Sequence, residues 1–406
     1  MPDHTPEDEA RRNAMGAGGA GTPSSYEPGE SATAAPSPVP AAGPPEPGLD
    51  PAAWPPVSPG PETQPGIPGG PRLMLWLMIL LGTGAASVVF QLQEAAILIA
   101  LSGLFVAAQA ADLYPDRRFM YGLLSSTVPV IGAGVFGAIA YLVSQMEPEP
   151  LQTAVMAFAA AAALLSLATL LRPLSNVLSR AMFRDQPPSH ALRLAARLVL
   201  MGLLLAFPGW YAFRDTFEQM ITSGTSLFDQ GFIGSGLLGY VVLAFASVGF
   251  MVRRDARDTL ERLGLRKLRP GDWAVIPLGV IALFGLNLAL EAVQRTWFPD
   301  MWLSDQRVSQ MIAAELGPAQ ILMLGLSAGI GEEITLRGAL QPRLGIVLTA
   351  LLFASLHVQY SWFGMGVIFC FGLLLGLIRV RTSTTVVMAI HTLYDVAAVV
   401  SMPGPT

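Results

Sequence analysis

From residue 71 onward, apolar runs close to the length that crosses a ~30 Å hydrocarbon core follow one another with short breaks. The runs predict helical spans near 73–90, 95–111, 119–143, 151–171, 194–213, 231–252, 273–290, 319–340, 346–361, 362–380 and 384–402. Composition agrees: 13% of the 406 residues are charged, 52% are hydrophobic and the mean hydropathy is +0.51, too apolar for a soluble globular chain. The expected fold is all-α, a polytopic membrane helix bundle of about 11 transmembrane helices behind a disordered N-terminal tail.

The tail is residues 1–70. It holds 17 of the 33 prolines, with nine acidic residues against Arg11 and Arg12. Such a segment buries too little apolar surface to offset its ordering entropy, so disorder is expected. The net charge of −5 comes from this tail, and the rest of the chain is slightly basic. Neither nucleic-acid binding nor an acidic substrate follows from that balance. The chain's start lacks a basic, apolar and small-residue succession, so no cleaved signal peptide is expected. Cys370 is the single cysteine, which excludes an intramolecular disulfide and a cysteine-based zinc cluster.

Orientation follows from the basic residues. With the tail inside, the inner connections carry 17 Lys and Arg and the outer ones three: Arg214, Arg295 and Arg307. That bias predicts a cytoplasmic N-terminus and an external C-terminus. One lysine, Lys267, against 23 arginines suggests a GC-rich genome, hence the plasma (inner) membrane of a prokaryote. The loop that begins at Arg253 reads as a short amphipathic surface helix facing anionic membrane lipid, or else as a solvated loop. On the outer side Val308, Met311, Ile312 and Leu316 recur at helical spacing, predicting a helix lying over the mouth of the bundle.

Ionisable residues nearly vanish from the middles of the first seven spans and gather in the last four: Glu332, Glu333 and Arg337, then His357, then His391 and Asp395. A charge at the centre of a spanning helix costs at least about 2.5–3.5 kcal/mol, so each is a functional candidate. By helical rise Glu332, His357 and His391 lie about 15–18 Å from their inner boundaries, which puts three helices' polar groups at one depth. Glu333 and Arg337 are i, i+4 and can pair on one face, a structural role. Glu332 points elsewhere on the helix and is left free for chemistry. His391 and Asp395 are also i, i+4; Asp395 can orient the histidine, or both can bind one ion. Gly325, Gly329 and Gly331 thin the helix for close neighbours, while Gly372 and Gly376 read as plain packing.

The set E-E-I-T-L-R, F-A-S-L-H and H-T-L-Y-D resembles, in order and separation, the motifs E-E-x-x-x-R, F-x-x-x-H and H-x-x-x-(N/D) of the CPBP family. These are the CAAX prenyl endopeptidases and Abi proteins related to the Ras-converting endopeptidase. The resemblance implies a catalytic core over 264–406, with 71–263 as additional N-terminal helices. It implies an intramembrane endopeptidase in which Glu332, assisted by His357, activates water, and His391 and Asp395 hold a metal or the oxyanion. Glu333, Arg337 and Phe353 would support them. It leaves open one zinc ion on His357, His391, Asp395 and Glu332, although the H-E-x-x-H spacing of soluble zinc proteases is absent. Asp395 stands where many members have asparagine. The expected partners are membrane lipid and a membrane-embedded or lipidated peptide. A catalytically silent scaffold or immunity-type protein of the same fold is the alternative. A proton-coupled transporter fits less well, because the charge sits in the last third without matching halves.

Overall fold

The computed structural model describes residues 70–89, 92–114, 116, 118–183, 188–223, 230–314 and 316–402. Apart from Gly70, the expected disordered tail lies outside the described residues. The described chain is helical: α1 (Gly70–Val89), α2 (Gln93–Leu113), α3 (Arg118–Ser125), α4 (Thr127–Ser144), α5 (Gln152–Ala168), α6 (Arg172–Phe183), α7 (His190–Ser223) and α8 (Gln230–Val248). Then follow α9 (Ala256–Arg262), α10 (Asp272–Trp297), α11 (Pro299–Ala314), α12 (Pro318–Leu326), π-helical turns over Ser327–Glu332 and Ile334–Leu340, α13 (Gln341–Leu344), α14 (Ile346–Ser355), α15 (Trp362–Arg381) and α16 (Thr384–Ser401).

Seven described segments are long and apolar enough to cross a membrane: Arg72–Val89, Glu94–Leu113, Arg118–Ser144, His190–Arg214, Asp272–Trp297, Trp362–Arg381 and Thr384–Ser401. Their outer faces are apolar where water would demand polarity. α10 is the clearest case, since its two end tryptophans, Trp273 and Trp297, are 66% and 74% exposed. They lie about 36 Å apart by helical rise, where two interfacial belts would stand.

The other expected spans take different forms. The one near 151–171 is α5, which bends by 103° into the arginine-bearing α6. The one near 231–252 contains the shorter apolar helix Gly236–Val248. The one near 319–340 begins as α12 and then widens into π-helix. The run near 346–361 is helical only over Ile346–Ser355, about 15 Å or half a hydrocarbon core. The chain leaves the helix at Leu356, and His357 stands in the turn beyond it rather than on a spanning helix.

The basic loop also departs from expectation. α9 is seven residues long, capped by Asp255, whose side chain accepts from Asp258 N. Four of the loop's arginines, Arg253, Arg254, Arg262 and Arg266, turn inward, while Arg257 and Arg269 stay exposed. Arg253 pairs with Asp112 at 3.0 Å, Arg254 donates to Val248 O, and Arg266 grips Asp272 at 2.6 and 3.1 Å. Arg262 donates to Gly338 O and Ala339 O, both at 3.0 Å, closing the carbonyl end of the π-helical turns. Asp112 takes His190 as well, at 2.8 Å.

On the opposite face α11 begins earlier than the apolar pattern implies. Val308 is buried, Leu316 falls past the helix end, and Ile312's side chain lies outside what is described. One core runs from Trp76 and Phe105 through Leu194 to Leu352 and Phe353, linking α1 to α2, α2 to α7 and α7 to α14. A second, around Leu283, Leu375 and Ile390, joins α10, α15 and α16.

Candidate active site

Two glycines set the geometry of the π-helical turns. A Cβ on Gly329 would sit 2.5 Å from Thr392 N and 2.8 Å from Thr392 Cα, so α16 lies directly on that bare face. A Cβ on Gly331 would meet the Tyr240 ring at 3.0–3.3 Å, so α8 presses from another side. The segment between these neighbours carries Glu332 and Glu333. Wide π turns of this kind recur at functional sites.

Glu333 faces α16. It is 0% exposed, and its Oε1 lies 3.2 Å from Arg337 Nη1 and 2.9 Å from His391 Nδ1. The expected i, i+4 pair with Arg337 is present, and the contact with His391 adds a partner from another helix. Spacing along one helix cannot reveal a partner 58 residues away. Arg337, also 0% exposed, stands over the Phe353 ring at 4.6 Å. Phe353 in turn meets His357 edge-on at 4.8 Å and His391 at 6.1 Å. It is the apolar post around which the cation and both imidazoles are arranged.

The two histidines are held differently. His357 Nδ1 lies 2.8 Å from Phe353 O. A carbonyl only accepts, so Nδ1 carries the hydrogen and Nε2 of the neutral ring is left with its lone pair. His391 has carboxylates at both nitrogens: Glu333 at Nδ1, and Asp395 Oδ2 3.4 Å from Nε2. Glu332 makes no hydrogen bond or ion pair to a described side chain. It faces a cavity of about 1860 Å³ that is also lined by His357, His391 and Asp395. The structure therefore brings all four chemical candidates to one wall, with Glu333, Arg337 and Phe353 behind them.

Sequence reasoning missed two residues of the same cavity. Glu94, in the first turn of α2, and Tyr240 of α8 are hydrogen-bonded to each other and lie beside Glu332. The one signal in the sequence is a carboxylate at the edge of the apolar run 95–111, and an isolated carboxylate at a span's edge names no partner. Across the cavity α11 is pinned by Asp305, which accepts from Ser361 N at 2.6 Å, Ser361 Oγ at 2.8 Å and Gln294 Nε2 at 2.7 Å.

Among the described residues no three His, Cys, Asp or Glu side chains converge as a ligand set. Both nitrogens of His391 already face carboxylates, so the side chains as placed do not fit a zinc ion.

A family model described as type II CAAX prenyl endopeptidase Rce1-like matches residues 314–397. That stretch contains Glu332, Glu333, Arg337, Phe353, His357, His391 and Asp395, while Glu94 and Tyr240 lie outside it. The chain is similar to the uncharacterized protein YpbD of Bacillus subtilis (strain 168), at 30% identity over 158 residues, 38% of this chain and 80% of YpbD. No solved structure matches.

Proposed function

The chain belongs to the CPBP family of Rce1-like type II CAAX prenyl endopeptidases, and on that premise we propose that it hydrolyses a peptide bond of a membrane-associated or lipidated peptide with water activated by Glu332. The family supports an intramembrane protease; the roles of single residues are our reading. The observation that carries it is the division between two adjacent carboxylates. Glu333 is spent on Arg337 and His391, whereas Glu332 faces the cavity without a hydrogen bond or ion pair to any described side chain.

Water is a poor nucleophile at neutral pH and needs a positioned base. Glu332 takes one proton as the water oxygen bonds to the scissile carbonyl carbon. The carbonyl oxygen becomes an oxyanion, and His391 Nε2, whose 3.4 Å contact with Asp395 is the looser of its two, turns its N–H to that oxygen while Glu333 holds Nδ1. His357, fixed through Nδ1, offers Nε2 to the water or to the departing nitrogen. Collapse of the intermediate breaks the C–N bond, and the proton held by Glu332 leaves with the amine. The cavity is lined largely by apolar side chains and suits a lipidated or transmembrane segment.

Glu332→Gln keeps the shape of the side chain and removes the base. Purified variant and parent should melt alike, with the variant at least a hundredfold slower on a membrane-peptide substrate, the usual size of a general-base contribution. A Glu332→Gln protein with undiminished peptidase activity refutes the assignment. A parent protein without activity on any membrane peptide would favour the scaffold reading.

A further inference from the structure

Glu94 and Tyr240 line the cavity beside Glu332, outside the residues that the family model matches, and the proposed hydrolysis gives them no task. Glu94 is half-buried in the first turn of α2, at the edge of an apolar span, and no cation among the described residues offsets it. A carboxyl there carries a desolvation cost that an apolar side chain of similar size would avoid, which makes it a functional candidate.

Three contacts tie it to the turn that carries Glu332. The first is the approach of α2 to α8. A Cβ on Gly239 would lie 2.9 Å from Leu98 Cβ and 3.2 Å from Ala95 Cα, so the backbone beside Glu94 is clamped on α8. The second lies one turn earlier on α8. A Cβ on Gly236 would meet Ser327 Oγ at 2.9 Å and Glu94 Oε2 at 3.3 Å, so the carboxyl and the first residue of the π-helical segment converge on one bare spot. The third is Tyr240. Its hydroxyl is hydrogen-bonded to Glu94, and the near end of its side chain, Cβ, Cγ and Cδ2, is what a Cβ on Gly331 would meet at 3.0–3.3 Å. Gly331 is the residue before Glu332. The Tyr240 carbonyl also accepts from Thr335 Oγ1 at 3.2 Å, in the second π-helical turn.

Glu94 therefore holds the far end of a ring whose near end bears on the turn that aims Glu332. The Tyr240 hydroxyl has no second partner among the described residues, so without Glu94 the ring can swing about its Cα–Cβ bond to another rotamer and the turn loses its wall on that side. We propose that Glu94 is a positioning residue for the hydrolysis, fixing the Tyr240 ring and through it the direction in which Glu332 faces the cavity, a role that rests on Glu332 being the base. A base turned out of line slows the chemical step and leaves substrate binding alone, so the loss belongs in kcat.

The test compares full-length parent, Glu94→Leu, Glu94→Gln, Tyr240→Phe, the Glu94→Leu/Tyr240→Phe double variant and Glu332→Gln in one detergent, on an internally quenched fluorogenic peptide with a farnesylated cysteine. Glu94→Leu and Tyr240→Phe should each lower kcat about tenfold with KM unchanged, the worth of one side-chain hydrogen bond. Both cut the same link, so the double variant should be no slower than the slower single one. Glu94→Gln keeps an oxygen that accepts from Tyr240 and should recover most of the loss. Leucine suits an apolar span and phenylalanine keeps the ring, so either variant carries the test if the other fails to fold. Both single variants as fast as the parent beside a slow Glu332→Gln would overturn the role and leave the base standing. Single losses that multiply in the double variant would overturn the link through Tyr240, and a raised KM at unchanged kcat would make Glu94 a substrate contact instead. Glu332→Gln at full rate, or a parent inert on the peptide, would remove the base or the hydrolysis and this role with it.

Discussion

Replacing Arg337 with methionine keeps an unbranched apolar stem and removes the guanidinium and its charge. Glu333 then stands in a fully buried place with His391, at 2.9 Å, as its one remaining partner among the described residues. Breaking a buried pair from one side costs about 3–5 kcal/mol. The lost stacking over Phe353, at 4.6 Å, adds about 0.5–2 kcal/mol. Glu333→Gln strands the opposite charge and should cost a similar amount, although its amide oxygen can still accept from His391. The double variant strands neither charge. It should recover at least half of the loss, with a coupling of about 2 kcal/mol or more, against the roughly 0.3–0.5 kcal/mol within which independent sites add. The four proteins are compared by chemical unfolding in one detergent. Additive single effects, or an Arg337→Met protein within about 1 kcal/mol of the parent, an exposed pair's worth, would refute the claim that this pair braces the site.

Asp395→Asn keeps shape but removes the carboxylate facing His391 Nε2, so kcat should fall with little change in melting; an asparagine variant as fast as the parent would remove Asp395 from the orienting role, and rescue by added zinc with bound metal in the parent would argue for an ion instead. Gly329→Ala drives a methyl into the backbone of Thr392, which cannot yield as a side chain end can, so α16 should shift, and both stability (about 1–3 kcal/mol) and activity should drop; normal activity would mean that the approach is not needed. Reporters fused after Arg266 and after Pro299, the two ends of α10, should read opposite sides of the membrane, with the first inside; the same side for both would undo the topology.

Much of this was legible because membrane helices write themselves in apolar length, and because i, i+4 geometry is local. The Glu333–Arg337 pair and the shared face of His391 and Asp395 need only one helix each. What the sequence hid was tertiary. The arginines from Arg253 on read as one basic stripe, yet Asp112, Asp272 and the carbonyls of Gly338 and Ala339 draw Arg253, Arg266 and Arg262 inward and leave Arg257 and Arg269 exposed. The run through residue 361 is apolar enough to continue as helix, but the turn at Leu356 stops it at half depth. Glu94 could be assigned to the cavity only once α2 and α8 were seen packed beside the π-helical turns.

The half-length helix and the wide turns have related consequences. A histidine in a regular helix has its carbonyl neighbours committed to the ladder. His357 instead stands past the end of α14, where Phe353 O lies 2.8 Å from its Nδ1 and helps fix the ring. On the facing element, two consecutive glutamates would diverge around any helix. Here Gly329 brings α16 against one side and Gly331 brings Tyr240 against another, so each carboxylate meets a different environment: Glu333 a cation and an imidazole, Glu332 an open cavity. Adjacent residues of identical chemistry thereby acquire different surroundings, one holding the histidine and one left, in the mechanism we propose, to take a proton from water.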